Sequence, residues 1–204
     1  MTHENPQNLV LSIYPFSRGF AFVLFEGPES PFDWGVKEIK EKHKNTKTLD
    51  EIKKIIDRLR PEVLVIEDTT GNDSRRTSRI RKLYRMLVHL AEAEYIELHR
   101  CSKREVKECF ASVGASTKYE IAKAIATQIP AFAHRLPPFR KPWMSEDPRQ
   151  SLFDAVALAL TYFARHIEVH TCKTHLRDKN NSLLLRSTES PVFLTWQGGS
   201  NGNR

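Results

Sequence analysis

The chain has 204 residues, 40% of them hydrophobic, which is enough for one cored domain and for two only if both are small. A formal net charge of +7 makes polyanions the natural partners, either nucleic acid or an acidic membrane surface. No stretch approaches the roughly 20 apolar residues of a membrane-spanning helix, and Met1 to Asn8 is polar and lacks a signal-peptide core, so the expectation is a soluble, cytoplasmic protein with no membrane partner.

In chain order, residues 1–8 read as an N-terminal extension. Leu9–Tyr14 is apolar and β-prone, Pro15–Gly19 reads as a turn, and Phe20–Phe25 as a second strand. A further turn at Glu26–Pro31 returns the chain as a third strand over Asp33–Ile39. The period then changes: Leu49, Ile52, Ile56 and Leu59 recur at helical spacing until Pro61 ends the helix. Val63–Ile66 is apolar throughout, as in a buried parallel strand. A helix over about Ser74–Ala93, a fifth strand at Tyr95–His99, and helices at Lys103–Phe110, Thr117–Ile129 and Leu152–His166 complete a domain spanning residues 9–168. Between the last two helices lies Leu136–Pro148, a loop with four prolines. Residues 169–204 are polar and read as a partly ordered tail.

Three antiparallel strands followed by helix-linked strands is the RNase H-like order, an α/β fold with a mixed five-stranded sheet and helices on both faces. No internal repeat is evident. The three cysteines, Cys101, Cys109 and Cys172, form no CxxC pair, and the eight histidines form no HxxxH pair, so neither a disulfide framework nor a zinc site is expected.

Two stretches resemble the RuvC family of Holliday-junction resolvases, over about Leu9 to His166. In Val63-Leu-Val-Ile-Glu67 a buried strand ends in a carboxylate, as does the strand bearing the family's second acid. In Phe153-Asp154-Ala-Val-Ala-Leu-Ala-Leu-Thr-Tyr162 an Asp stands near the start of a C-terminal helix, as does the family's closing acid. The resemblance implies an RNase H fold and a nuclease or recombination-type enzyme that cuts branched or structured DNA with Mg, or Mn, held by acidic or His groups. It also implies a homodimer, by analogy with two-fold symmetric junction binding. Two-metal hydrolysis needs carboxylates from separate elements converging on ions about 4 Å apart, and magnesium takes oxygen ligands while keeping several waters. On this reading Glu67 and Asp154 are catalytic metal ligands. The bland alternatives are that Glu67 is the first solvated residue after its strand and that Asp154 complements a helix dipole. Asp68, next in the strand, points elsewhere.

The chain departs from the family at two positions. Where the family's first strand carries a metal-bridging Asp, in a pattern like Ile-Asp-Pro-Gly-Ser-Arg, this chain has Ile13-Tyr14-Pro15-Phe16-Ser17-Arg18, and a neutral phenol is a poor magnesium ligand. The acid or His expected one helical turn before Asp154 is Ser151. Glu146, as a metal ligand, and Asp147, as a catalytic acid, are candidate replacements from the loop, unless Ser145 or Asp147 simply caps a helix with Pro148 at its first position. Asp33 and Glu26 on the meander are further candidates.

Arg75 to Arg85 holds six basic residues and no acid. On a helix Arg75, Arg79 and Lys82 form a solvent-facing stripe, and with Arg76 they are candidate phosphate contacts. Arg140, Lys141 and Trp143 in the proline-rich loop suit backbone contact and stacking on an unpaired base, although Trp143 equally suits packing onto the core. Ser102 with Glu105, and Ser116 or Thr117 with Glu120, are helix-capping signals. Two readings stay open: a magnesium-dependent endodeoxyribonuclease, and a catalytically impaired RuvC-fold protein that binds nucleic acid or a partner. A nucleotide-binding relative of actin or the sugar kinases lacks its Gly-rich phosphate loops here.

Overall fold

The computed structural model describes residues 9–71, 76–141 and 147–178. The chain divides into two units, 1–168 and 169–204, and the first holds the sheet. That sheet has five strands, β1 (Val10–Phe16), β2 (Gly19–Gly27), β3 (Ser30–Glu38), β4 (Val63–Glu67) and β5 (Glu97–Cys101), in the order β3-β2-β1-β4-β5. β1 to β3 run antiparallel, and β4 joins parallel to both β1 and β5. This is the expected RNase H-like arrangement.

Alternation along the strands sends side chains to two separate cores. Leu11, Ile13, Phe20, Phe22, Leu64 and Ile66 pack beneath α1 (Lys44–Leu59) and α2 (Ser78–Ala93). Val10, Tyr14, Ala21, Val23, Val63 and Val65 pack beneath α3 (Lys103–Ala111), α4 (Lys118–Gln128) and α5 (Pro148–Asp178). Each large side chain removed from water here stabilises the fold by about 1.5–3 kcal/mol. Helices therefore cover both faces.

Local chemistry sets the boundaries. α1 ends at Arg60, which adopts a left-handed conformation (φ 47°) and donates its N–H to the Ile56 carbonyl just before Pro61. Ser102 with Glu105 opens α3, and Thr117 with Glu120 opens α4, each as a reciprocal capping box. From Gln150 to Tyr162 α5 is buried at every residue except Asp154; its alanines at 155, 157 and 159 let the helix lie close to its neighbours.

Several boundaries differ from expectation. β1 runs through Pro15 and Phe16 instead of turning at Pro15; its pairing with β4 stops at Ile13, and beyond that point a proline interrupts no ladder on that side. β5 begins two residues later than Tyr95, because the end of α2 continues into a turn in which Tyr95 takes φ 55° and lies 97% exposed. α2 begins at Ser78, capped by the Thr77 hydroxyl, and α5 begins earlier than Leu152, at Pro148.

Candidate functional site

The parallel register fixes the centre of the site. Ile13 pairs with Ile66, so Tyr14 and Glu67 come abreast one residue later and face the α5 side of the sheet. Glu67 is 3% exposed and Tyr14 7%. Asp154, near the start of α5, approaches the same phenol, since the Lys118 ammonium lies 2.8 Å from Asp154 Oδ2 and 3.3 Å from Tyr14 Oη. The ends of β1 and β4 and the starts of α4 and α5 thus converge on Tyr14.

Among the described residues, Glu67 and Asp154 both stand against cations. Arg76 donates from Nε to Glu67 Oε2 at 2.9 Å and pairs with the same oxygen through its terminal nitrogen. Its guanidinium also covers the Tyr14 ring, 4.5 Å from the centroid. The Tyr84 hydroxyl of α2 donates to Glu67 Oε2 at 3.2 Å, and the Lys103 ammonium stands 3.6 Å from Oε1, an oxygen that is buried without a hydrogen bond. Lys118 serves Asp154. Burial, reinforced by the negative charge of Asp154, pushes the Tyr14 phenol well above its ordinary pKa, so it stays neutral and protonated. Burial likewise raises Tyr84, with Glu67 adding to the effect.

The other sequence-nominated residues fall in different places. Ser151 is buried and donates to the Pro148 carbonyl at 2.5 Å. Asp147 is tied to Arg149 at 2.7 Å and accepts from the Arg149 backbone N–H at 2.9 Å, and these contacts hold its carboxyl below the usual range. It caps the start of α5, the simpler of the two roles open to it. Asp33 pairs with Arg58 of α1, and Asp68 closes a local turn onto Thr70. Arg79 is not part of a solvent stripe: it bonds Asn45 Oδ1 at 2.9 Å and the Ser17 carbonyl at 2.9 Å, fastening the start of α2 to the β1–β2 turn and to the start of α1. Arg76 also turns inward. Lys82 is exposed, as are Arg81, Arg85, Arg140 and Lys141. Arg75, Trp143 and Glu146 lie outside the described residues.

Lys118, Lys103 and Tyr84 were not singled out by sequence reasoning. The capping box gave the only local hint for Lys118, since it makes this residue the first of α4; Tyr84 is hidden in the apolar period of α2.

No family model and no curated protein matches the chain. Solved structures do. Thermus thermophilus RuvC in complex with a Holliday junction substrate superposes with a TM-score of 0.57 at 17% identity, over 78% of this chain and 96% of that one. The yeast mitochondrial Holliday junction resolvase Ydc2 superposes with a TM-score of 0.62 at 14% identity, over 85% of each chain. The chain has the RuvC-like form of the RNase H fold. A second Thermus thermophilus RuvC structure agrees, with a TM-score of 0.55 at 18% identity over 78% of this chain and 96% of that one.

A RuvC-like fold raises the question of divalent metal, and the donor set of this rim can be tested for it. Magnesium requires anionic or strongly polar oxygens with open lone pairs. Here one of the four positions is a protonated phenol, another is a serine hydroxyl committed to a carbonyl, and the two carboxylates are already paired with Arg76 and Lys118. Among the described residues no cluster of three or more His, Cys, Asp or Glu side chains is placed to hold a metal. Of the described residues, Glu67, Asp154, Tyr14 and Ser151 do not by themselves fit a two-metal centre.

Proposed function

We propose that this chain acts on branched or structured DNA, engaging the phosphate backbone at the rim where β1 and β4 end. The observation that carries this reading is the excess of cations at that rim, where Arg76, Lys103 and Lys118 stand against the two carboxylates Glu67 and Asp154; Arg81, Lys82 and Arg85 of α2 are exposed as well. The likeness to junction resolvases supports DNA as the polyanion. Arg140 and Lys141, also exposed, are further candidate contacts. The likeness to junction resolvases supports a nuclease of branched DNA, and the cation-paired rim supports contact with the phosphate backbone.

Metal-assisted hydrolysis is the second reading, and one observation favours it: the Glu67 Oε1 oxygen is buried without a hydrogen bond, in a strand-end carboxylate abreast of the first strand. On that reading Glu67, Asp154 and Glu146 would be the ligands, and magnesium or manganese would supply a Lewis acid to the phosphodiester.

One experiment separates them. Purified protein is titrated against fluorescent four-way junction, duplex and single-stranded DNA, and the same substrates are incubated with magnesium and manganese. The proposal expects salt-sensitive binding with preference for the junction. Cleavage abolished by Asp154→Asn would establish the second reading, and absence of binding to every substrate would refute both.

A further inference from the structure

A buried carboxylate cannot remain charged without a counter-charge. Among the described residues, the buried Glu67 and the partly buried Asp154 stand beside one phenol, and each is paired with a cation from this chain's own side chains. We infer that Arg76 and Lys118 take over the charge-neutralising role of divalent ions in this fold, with Tyr14 as the neutral spacer, so that the rim is complete without metal and resists it.

Three features support the assignment. First, the cations are specific: Arg76 gives two nitrogens to the same Glu67 oxygen, and Lys118 bridges Asp154 and Tyr14. Second, the phenol is matched to both cations, with Arg76 over its ring and Lys118 at its hydroxyl, 5.6 Å from the ring centroid. An aspartate at position 14 would place a third anion between these pairs and draw a cation of higher charge; the neutral ring asks only for the two monovalent groups. Third, each cation is positioned by its own element. Thr77 and the start of α2 follow Arg76 directly, and the Thr117–Glu120 capping box sets Lys118 as the first residue of α4. Metal entry would have to displace both cations from anionic partners, and the protonated phenol would offer little in exchange.

The test uses the full chain and Mn2+ alone, with binding read by electron paramagnetic resonance of the free ion and unfolding followed with and without EDTA. The wild type is expected to leave Mn2+ free at millimolar concentration and to unfold at the same temperature in EDTA and in Mn2+. The variant Tyr14→Asp/Arg76→Ala/Lys118→Ala is expected to gain saturable Mn2+ binding and to be stabilised by the ion. A wild-type site that takes up Mn2+ and loses it in Glu67→Gln or Asp154→Asn overturns the inference; so does a folded triple variant that gains no binding. If the triple variant does not fold, the wild-type titration decides alone. DNA affinity does not enter either measurement, so this inference and the DNA-binding proposal can fail separately.

Discussion

The Arg76 guanidinium lies over the Tyr14 ring at 4.5 Å while its nitrogens hold Glu67. One side chain thereby ties the start of α2 to the ends of β1 and β4, the two central strands whose parallel register builds the rim. The proposed DNA-binding rim and the stability of the sheet end therefore share the same contacts.

Removing Arg76 strands a carboxylate that is 3% exposed. Arg76→Ala is expected to cost about 3–5 kcal/mol in urea unfolding, the usual penalty for breaking a buried pair from one side. Arg76→Met combined with Glu67→Gln is expected to recover most of that loss, because the uncharged pair has no such desolvation cost. A simple loss of packing by Arg76 would leave the double variant as unstable as the single one.

Lys118 is half exposed, so solvent screens its pair with Asp154. Lys118→Ala is expected to change stability by no more than about 1 kcal/mol. Its effect should appear in DNA binding, measured by fluorescence anisotropy across a salt series, where the slope of log affinity against log salt becomes shallower by about 0.9. Lys82→Ala on the exposed face of α2 is expected to do the same.

Glu120 accepts from the backbone N–H groups of Ser116 and Thr117, which lower its pKa from 4.5 to about 2. A carboxyl whose folded pKa is depressed contributes stability above its unfolded value and loses it as pH falls through the folded one. Glu120→Gln should therefore lower the thermal midpoint at neutral pH, and the difference from wild type should shrink between about pH 4.5 and pH 2. A difference that is constant across this range would remove the charge from the explanation.

Burial pushes the Cys101 thiol up to about 12, whereas Cys109 is half-buried. Thiolate is the reactive form. Mass spectrometry after mild labelling with an aromatic disulfide is expected to find Cys109 modified and Cys101 unmodified until urea unfolds the chain.

Much of this architecture is legible in the amino-acid order because it rests on local signals. The three-strand opening, the buried run Val63–Ile66, the boxes Ser102–Glu105 and Thr117–Glu120, and the placement of Asp154 near the start of a buried helix all follow from period and capping. The continuation of β1 through Pro15 was not legible, since it depends on where pairing with β4 stops. The inward turns of Arg76 and Arg79 were hidden for a related reason. Their partners lie 9 and 62 positions away, and a basic run reads as a solvated stripe until the acids and carbonyls it meets are known. The Lys118–Asp154 pair spans 36 positions and two elements, with no local pattern to announce it.

The most direct measurement is the affinity for a four-way junction in EDTA, followed across a salt series and repeated after adding magnesium. A metal-independent, cation-lined rim predicts binding in EDTA whose logarithm falls linearly with log salt, weakened by Lys118→Ala and little changed by magnesium. Binding that appears only when magnesium is present, or no binding in either buffer, would contradict it.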